Sequence, residues 1–81
     1  EIEKALLLHP QISDVAIVGV KDTRLGEVTH AHIVADNLSE SDVIAWARAE
    51  MANYKVPRGV TFHDSLPRNA SGKIQKYLLK A

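Results

Sequence analysis

Eighty-one residues make one small domain or part of one, and with no cysteine they exclude a disulfide framework, a thiolate zinc site and a cysteine nucleophile. Hydrophobic residues at 46% and charged residues at 25% are too apolar a mixture for disorder, while the longest apolar runs, such as residues 15–20, fall far short of a membrane span. Ten basic side chains balance ten acidic ones, which argues against a broad electrostatic grip on nucleic acid or membrane.

Residues 1–8 read as a short helix. Ile2, Ala5, Leu6 and His9 recur at helical spacing, and His9-Pro10 ends the element because proline disfavours helix in the residue before it. The chain begins at Glu1 rather than Met, inside the helical pattern and with no cap in front of it, so we expect a piece of something longer. Residues 15–20 are a β-branched run that suits a strand covered on both faces. Residues 21–27 are polar and turn-like, and residues 28–35 follow as a second strand pairing antiparallel with the first.

A second helix opens after Leu38. Ser39 or Ser41 can cap it, and Glu40 and Asp42 suit the positive end of its dipole. Val43, Ala47, Met51 and Tyr54 share a face, with Trp46 beside them, and Trp46 and Tyr54 are read as core. The helix should end before Pro57. Residues 60–63 read as a third strand, 64–72 as a loop rich in turn formers, and 74–80 as a closing helix with Lys76 and Lys80 near its negative end. The order α-β-β-α-β-α predicts an α+β domain, a small antiparallel or mixed three-stranded sheet flanked by helices.

The charge balance is uneven. Residues 1–50 carry four basic and nine acidic side chains, and residues 51–81 carry six basic and one acidic. Such asymmetry directs attention to an anionic partner near the C-terminal part. The densest stretch there is Leu66-Pro67-Arg68-Asn69-Ala70-Ser71-Gly72-Lys73. It is not a P-loop, which needs Gly at Pro67 and Ser or Thr at Ile74. A turn over residues 69–72 can instead project Lys73 on a mobile loop, as a point charge able to enter a site formed by another domain. His30 and His32 stand at i and i+2 on one strand face, but spacing fixes no third ligand, and no metal site is expected. A Ser-His-Asp arrangement has components without a nucleophile elbow. Few aromatics are present for base stacking, so nucleic acid is not an expected partner.

The stretch Leu66-Pro-Arg-Asn-Ala-Ser-Gly-Lys-Ile-Gln-Lys resembles the last core motif of the adenylate-forming superfamily, which includes acyl-CoA synthetases, luciferases and peptide-synthetase adenylation domains. Glu1-Ile-Glu with His9-Pro10, Val15-Ala-Ile-Val-Gly-Val, Asp22, Leu25-Gly-Glu27, Tyr54-Lys-Val-Pro57 and Phe62-His-Asp-Ser-Leu-Pro67 are similar to further blocks of that family, in the right order and across the whole chain. Lys21 departs from it, standing where many members have proline.

The resemblance implies that residues 1–81 are the C-terminal lid of an AMP-forming acyl-CoA ligase. Its large N-terminal adenylating domain, hinge residue and glycine-rich loop would lie before Glu1. Lys73 would be the adenylation lysine, with Pro67, Ser71 and Gly72 supporting its loop. Trp46-Ala-Arg-Ala-Glu50 is similar to the acetyl-CoA synthetase branch and places Arg48 at the CoA 3′-phosphate. The implied partners are the N-terminal domain, a carboxylic acid, ATP with Mg2+, and CoA. None is expected to be held tightly by this domain alone, which would be inactive by itself. A cytoplasmic enzyme and a lysine acetyltransferase acting on Lys73 are further implications. Alternatives are a non-catalytic interaction module that kept the fold, or a lid whose enzyme loads a carrier protein.

Overall fold

The computed structural model describes residues 2–24, 26–52 and 55–79. Expectations resting on Glu1, Leu25, Tyr54 and Lys80 lie outside these residues. Helix α1 spans Ile2–Leu7, strand β1 Ile12–Asp22, β2 Gly26–Ala35, helix α2 Glu40–Glu50 and β3 Gly59–Phe62. The sheet order is β1-β2-β3, with β1 and β2 antiparallel and β2 and β3 parallel. The sheet is therefore mixed. The long connection through α2 returns β3 in the same direction as β2, as a parallel pair requires.

The hairpin closes at Asp22 and Gly26, which face each other across the strands. Gly26 has φ +84°, the left-handed region where a Cβ is strained. The Asp22 carboxylate accepts the Arg24 N–H at 2.8 Å. Both strands run further than hydropathy alone implies, because cross-strand bonding continues through polar Lys21, Glu27 and Asp22. Neighbouring Val15 and Ala16 point to opposite faces, and both are buried, as expected for a strand covered on two sides.

Leu6, Ile12, Val15, Ala31, Ile33, Val43 and Ala47 form the core between one sheet face and the helices. Trp46 lies at its margin, donating its indole N–H to the Ala5 carbonyl at 3.1 Å while the His9 ring meets it edge-on at 4.6 Å. Ser39, not Ser41, is the N-cap of α2. Its hydroxyl accepts the Asp42 N–H, and the Asp42 carboxylate accepts the Ser39 N–H, which makes a reciprocal capping box. Asn37, with φ 57°, turns the chain from β2 into this cap.

The closing helix expected over residues 74–80 does not form. In its place stands a single 3-10 turn, Lys76–Leu78. Ile74 bridges antiparallel to Arg68, and the Gln75 N–H goes to the Pro67 carbonyl, so the residues that would start the helix are already bonded backwards. Tyr77 and Leu78 are largely exposed, leaving little apolar burial to hold a short helix in place.

Candidate functional site

The lysine loop is a miniature hairpin. Pro67 and Gln75, and Asn69 and Lys73, are joined by backbone hydrogen bonds, and the Gly72 N–H closes the turn on the Asn69 carbonyl at 2.9 Å. Gly72 takes φ +84°, which explains glycine before the lysine. The Asn69 side chain organises the interior: its Oδ1 accepts the Ser71 N–H at 3.0 Å, the Ser71 hydroxyl at 3.1 Å and the Lys73 N–H at 3.0 Å. Arg68 ties the hairpin to the sheet, with Nη1 donating to the Gly72 carbonyl and Nη2 bonded to Asp14 Oδ2 at 2.6 Å. Just beyond, the Lys76 ammonium pairs with Glu3 at 2.9 Å.

Lys73 is thus presented, exposed, from a turn whose backbone is bonded on both sides. Among the described residues no carboxylate pairs with its ammonium. Of the residues expected to support it, Pro67, Ser71 and Gly72 all take part in the hairpin. Sequence reasoning missed Asn69 and Arg68. Asn69 had a legible signal, since asparagine opening a turn bonds its own backbone two residues on. Arg68 had none, because its partner Asp14 is 54 residues away. Hydrogen bonds run throughout the loop expected to be mobile, and Arg68 ties it to β1.

Arg48 occupies the last turn of α2 and is exposed. It lines an open groove of about 1180 Å³ between α2 and the β2 side of the sheet, together with Glu27, Thr29, Glu40, Ile44 and Arg58. Arg58 was not singled out from sequence. The two guanidinium groups share the groove with two carboxylates, so any phosphate there must be recognised through directed bonds rather than net field. Lys73 does not line this groove, and the structure does not bring the two expected sites together.

His30, His32 and His63 stand in a row, with successive ring centroids 5.0 Å apart. His30 Nε2 meets the Thr61 hydroxyl at 2.7 Å, and His32 Nδ1 meets His63 Nε2 at 2.8 Å. His32 is 1% exposed and its Nε2 is buried without a partner. Burial, then the neighbouring His30 and His63, push its pKa below the usual imidazole value. Among the described residues no three His, Asp or Glu side chains are arranged to hold a metal ion.

Residues 1–73 match the family model of the AMP-binding enzyme C-terminal domain. A 3-[(3aS,4S,7aS)-7a-methyl-1,5-dioxo-octahydro-1H-inden-4-yl]propanoyl:CoA ligase from Rhodococcus jostii is 47% identical over 99% of this chain, and 2-succinylbenzoate--CoA ligase from Bacillus licheniformis is 40% identical over 98%. Among solved structures, o-succinylbenzoate CoA synthetase (MenE) from Bacillus subtilis, bound with its product analogue OSB-NCoA, superposes with TM-score 0.93 at 34% identity over 99% of this chain. The Mycobacterium tuberculosis fatty acyl CoA synthetase superposes with TM-score 0.89 at 38% identity over 96%. The chain spans only 16% or 17% of the length of each of these four. A family match across nine-tenths of the sequence, with the same fold at substantial identity, means that this chain belongs to the AMP-binding enzyme C-terminal domain family.

Proposed function

We propose that this chain is the lid of an ATP-dependent acyl-CoA ligase and that Lys73 supplies the charge needed to form the acyl-adenylate. The observation that carries this reading is the Lys73 hairpin, which presents an ammonium that pairs with no carboxylate among the described residues, from a turn with its own hydrogen bonds already made. In the first half-reaction an oxygen of the substrate carboxylate bonds to the α-phosphorus of ATP. The bond to the α,β-bridging oxygen breaks, and pyrophosphate leaves. Negative charge builds on the oxygens around phosphorus, where a preplaced ammonium stabilises it without reorganising. The lid then turns and presents another surface to the thioester step with CoA. Arg48 and Arg58 suit a CoA phosphate chemically, since a guanidinium fork matches phosphate oxygens. No cluster of carboxylates among the described residues suits Mg2+, so no step of this domain is routed through that ion.

A cytoplasmic location belongs to this reading, since ATP and CoA are both available there. Among the described residues no helix is long and apolar enough to cross a membrane. An acetyltransferase that neutralised Lys73 would remove the adenylation charge. The test is Lys73→Ala in the complete enzyme. Acid-dependent ATP–pyrophosphate exchange should fall by about 100-fold or more, the usual effect of removing one electrostatic stabiliser. Thioester formation from supplied acyl-adenylate should persist. Loss of the thioester step alone, with exchange intact, would overturn the role.

A further inference from the structure

We infer that Asp14 and Arg68 are positioning residues for Lys73: the pair transmits the position of β1 to the catalytic hairpin. The inference rests on the proposed role of Lys73 and extends it to two residues that never need to touch substrate.

The connection begins in the sheet. The β1–β2 register shifts between Ile12 and Asp14, a bulge that leaves Ser13 between paired residues. Bulges re-aim the side chains beside them. Ser13 bonds its hydroxyl to the Val34 carbonyl at 3.1 Å, which holds the irregularity in place. The Asp14 carboxylate is then fixed at both ends. Oδ1 accepts the Val15 N–H at 3.0 Å, and Oδ2 takes the Arg68 guanidinium at 2.6 Å.

Arg68 uses a second nitrogen on the Gly72 carbonyl, one residue before Lys73. One planar group therefore spans the sheet and the lysine turn, and a rigid fork can do what a flexible ammonium cannot. The side chains of Asp14 and Arg68 are 23% and 44% exposed. A pair that open contributes little to stability, so folding alone is a poor reason for its geometry. Positioning is a better one. Displacing a catalytic group by about 1 Å can cost roughly 100-fold in rate.

The experiment uses the complete enzyme and five variants: Arg68→Ala, Asp14→Ala, Arg68→Lys, Lys73→Ala and the double variant Arg68→Ala/Lys73→Ala. Each is assayed separately for ATP–pyrophosphate exchange and for thioester formation from supplied acyl-adenylate. Arg68→Ala and Asp14→Ala should each lower kcat for exchange by about 10-fold, with KM for ATP unchanged and the thioester step intact, as expected for an imperfectly placed group. Arg68→Lys keeps the charge but loses the fork, and should fall nearly as far. Arg68→Ala added to Lys73→Ala should cost nothing more, because the two act through one group.

Unchanged exchange in the Arg68 and Asp14 variants, with Lys73→Ala impaired, overturns the inference while leaving the lysine's role standing. Equal loss in both half-reactions makes the pair merely structural and also overturns it. Unimpaired exchange in Lys73→Ala removes the reading beneath it, and the inference with it.

Discussion

At the scale of single residues, His32 carries a buried polar atom without a hydrogen-bond partner among the described residues. It is buried, it shares one hydrogen bond with His63, and its second nitrogen has no partner. Placing its proton on Nδ1 lets it donate to His63 Nε2 and leaves only a lone pair unsatisfied at Nε2. The other tautomer buries an unsatisfied N–H, and the imidazolium buries a charge with it. The fold therefore prefers neutral His32, and its pKa lies below the unfolded value of about 6.5. Between those two values the unfolded chain binds more protons than the folded one. Stability is complete above about pH 6.5 and is lost as pH falls through the folded value. Denaturation midpoints followed from pH 8 to pH 5 should drop more steeply for this chain than for His32→Gln. Parallel curves would show that His32 is not the group responsible.

Other residue-scale features follow from close approach. A Cβ on Gly59 would come within 2.8 Å of the His30 ring, and one on Gly19 within 2.8 Å of the Glu27 side chain. Glu3 shows the opposite economy: one carboxylate accepts the edge N–H of Ile17 at 2.8 Å and pairs with Lys76. Burial raises its pKa, but the Ile17 hydrogen bond and the Lys76 charge together outweigh that, and the net shift is downward. The contact also blunts the free edge of β1, where an unpaired strand would otherwise invite another chain.

At the scale of elements, α2 was the most legible part of the sequence. A serine cap, the acidic first turn and the buried stripe of Val43 and Ala47 all follow from local spacing, and the structure chooses Ser39 over Ser41. The Asp42 pKa is lowered, first by the Ser39 N–H and then by the Ser39 hydroxyl, which shows the capping box from the carboxylate side. Ser39→Ala should cost about 1 kcal/mol. In a domain of this size that lowers Tm by roughly 4–8 °C, measurable by thermal unfolding followed by circular dichroism. Ser39→Asp should restore most of it, and an unchanged Tm in Ser39→Ala would mean that the cap contributes nothing. The closing segment shows where local reading fails. Ile74, Tyr77 and Leu78 carry a helical spacing, yet the Pro67–Gln75 and Arg68–Ile74 pairings take its first residues into the hairpin.

At the scale of the whole molecule, the two candidate sites occupy separate places. Lys73 stands on the hairpin tied to β1, while Arg48 and Arg58 line the groove beside α2. On the proposed reading this separation lets one rigid lid serve two half-reactions by turning, each with its own surface. Arg48→Ala and Arg58→Ala should then each raise KM for CoA by about 10-fold or more, as expected when a charged hydrogen bond of roughly 1.5–3 kcal/mol is lost. Pyrophosphate exchange should not change. An unchanged KM for CoA in both variants would leave these arginines as ordinary surface residues.

The sequence by itself determined the order of the first five elements, the antiparallel hairpin, a serine cap with an acidic first turn on α2, and the resemblance that the family match bears out. These depend on neighbours a few residues apart, or on blocks recognisable one at a time. Tertiary structure alone decided that β3 runs parallel to β2, that a turn replaces the last helix, that His32 is walled in beside His63, and that Asp14 reaches Arg68. Each of those depends on pairing between distant segments. Hydropathy and turn chemistry specify which faces are buried and where the chain reverses, but not which charged or polar side chains from remote strands will meet once it has.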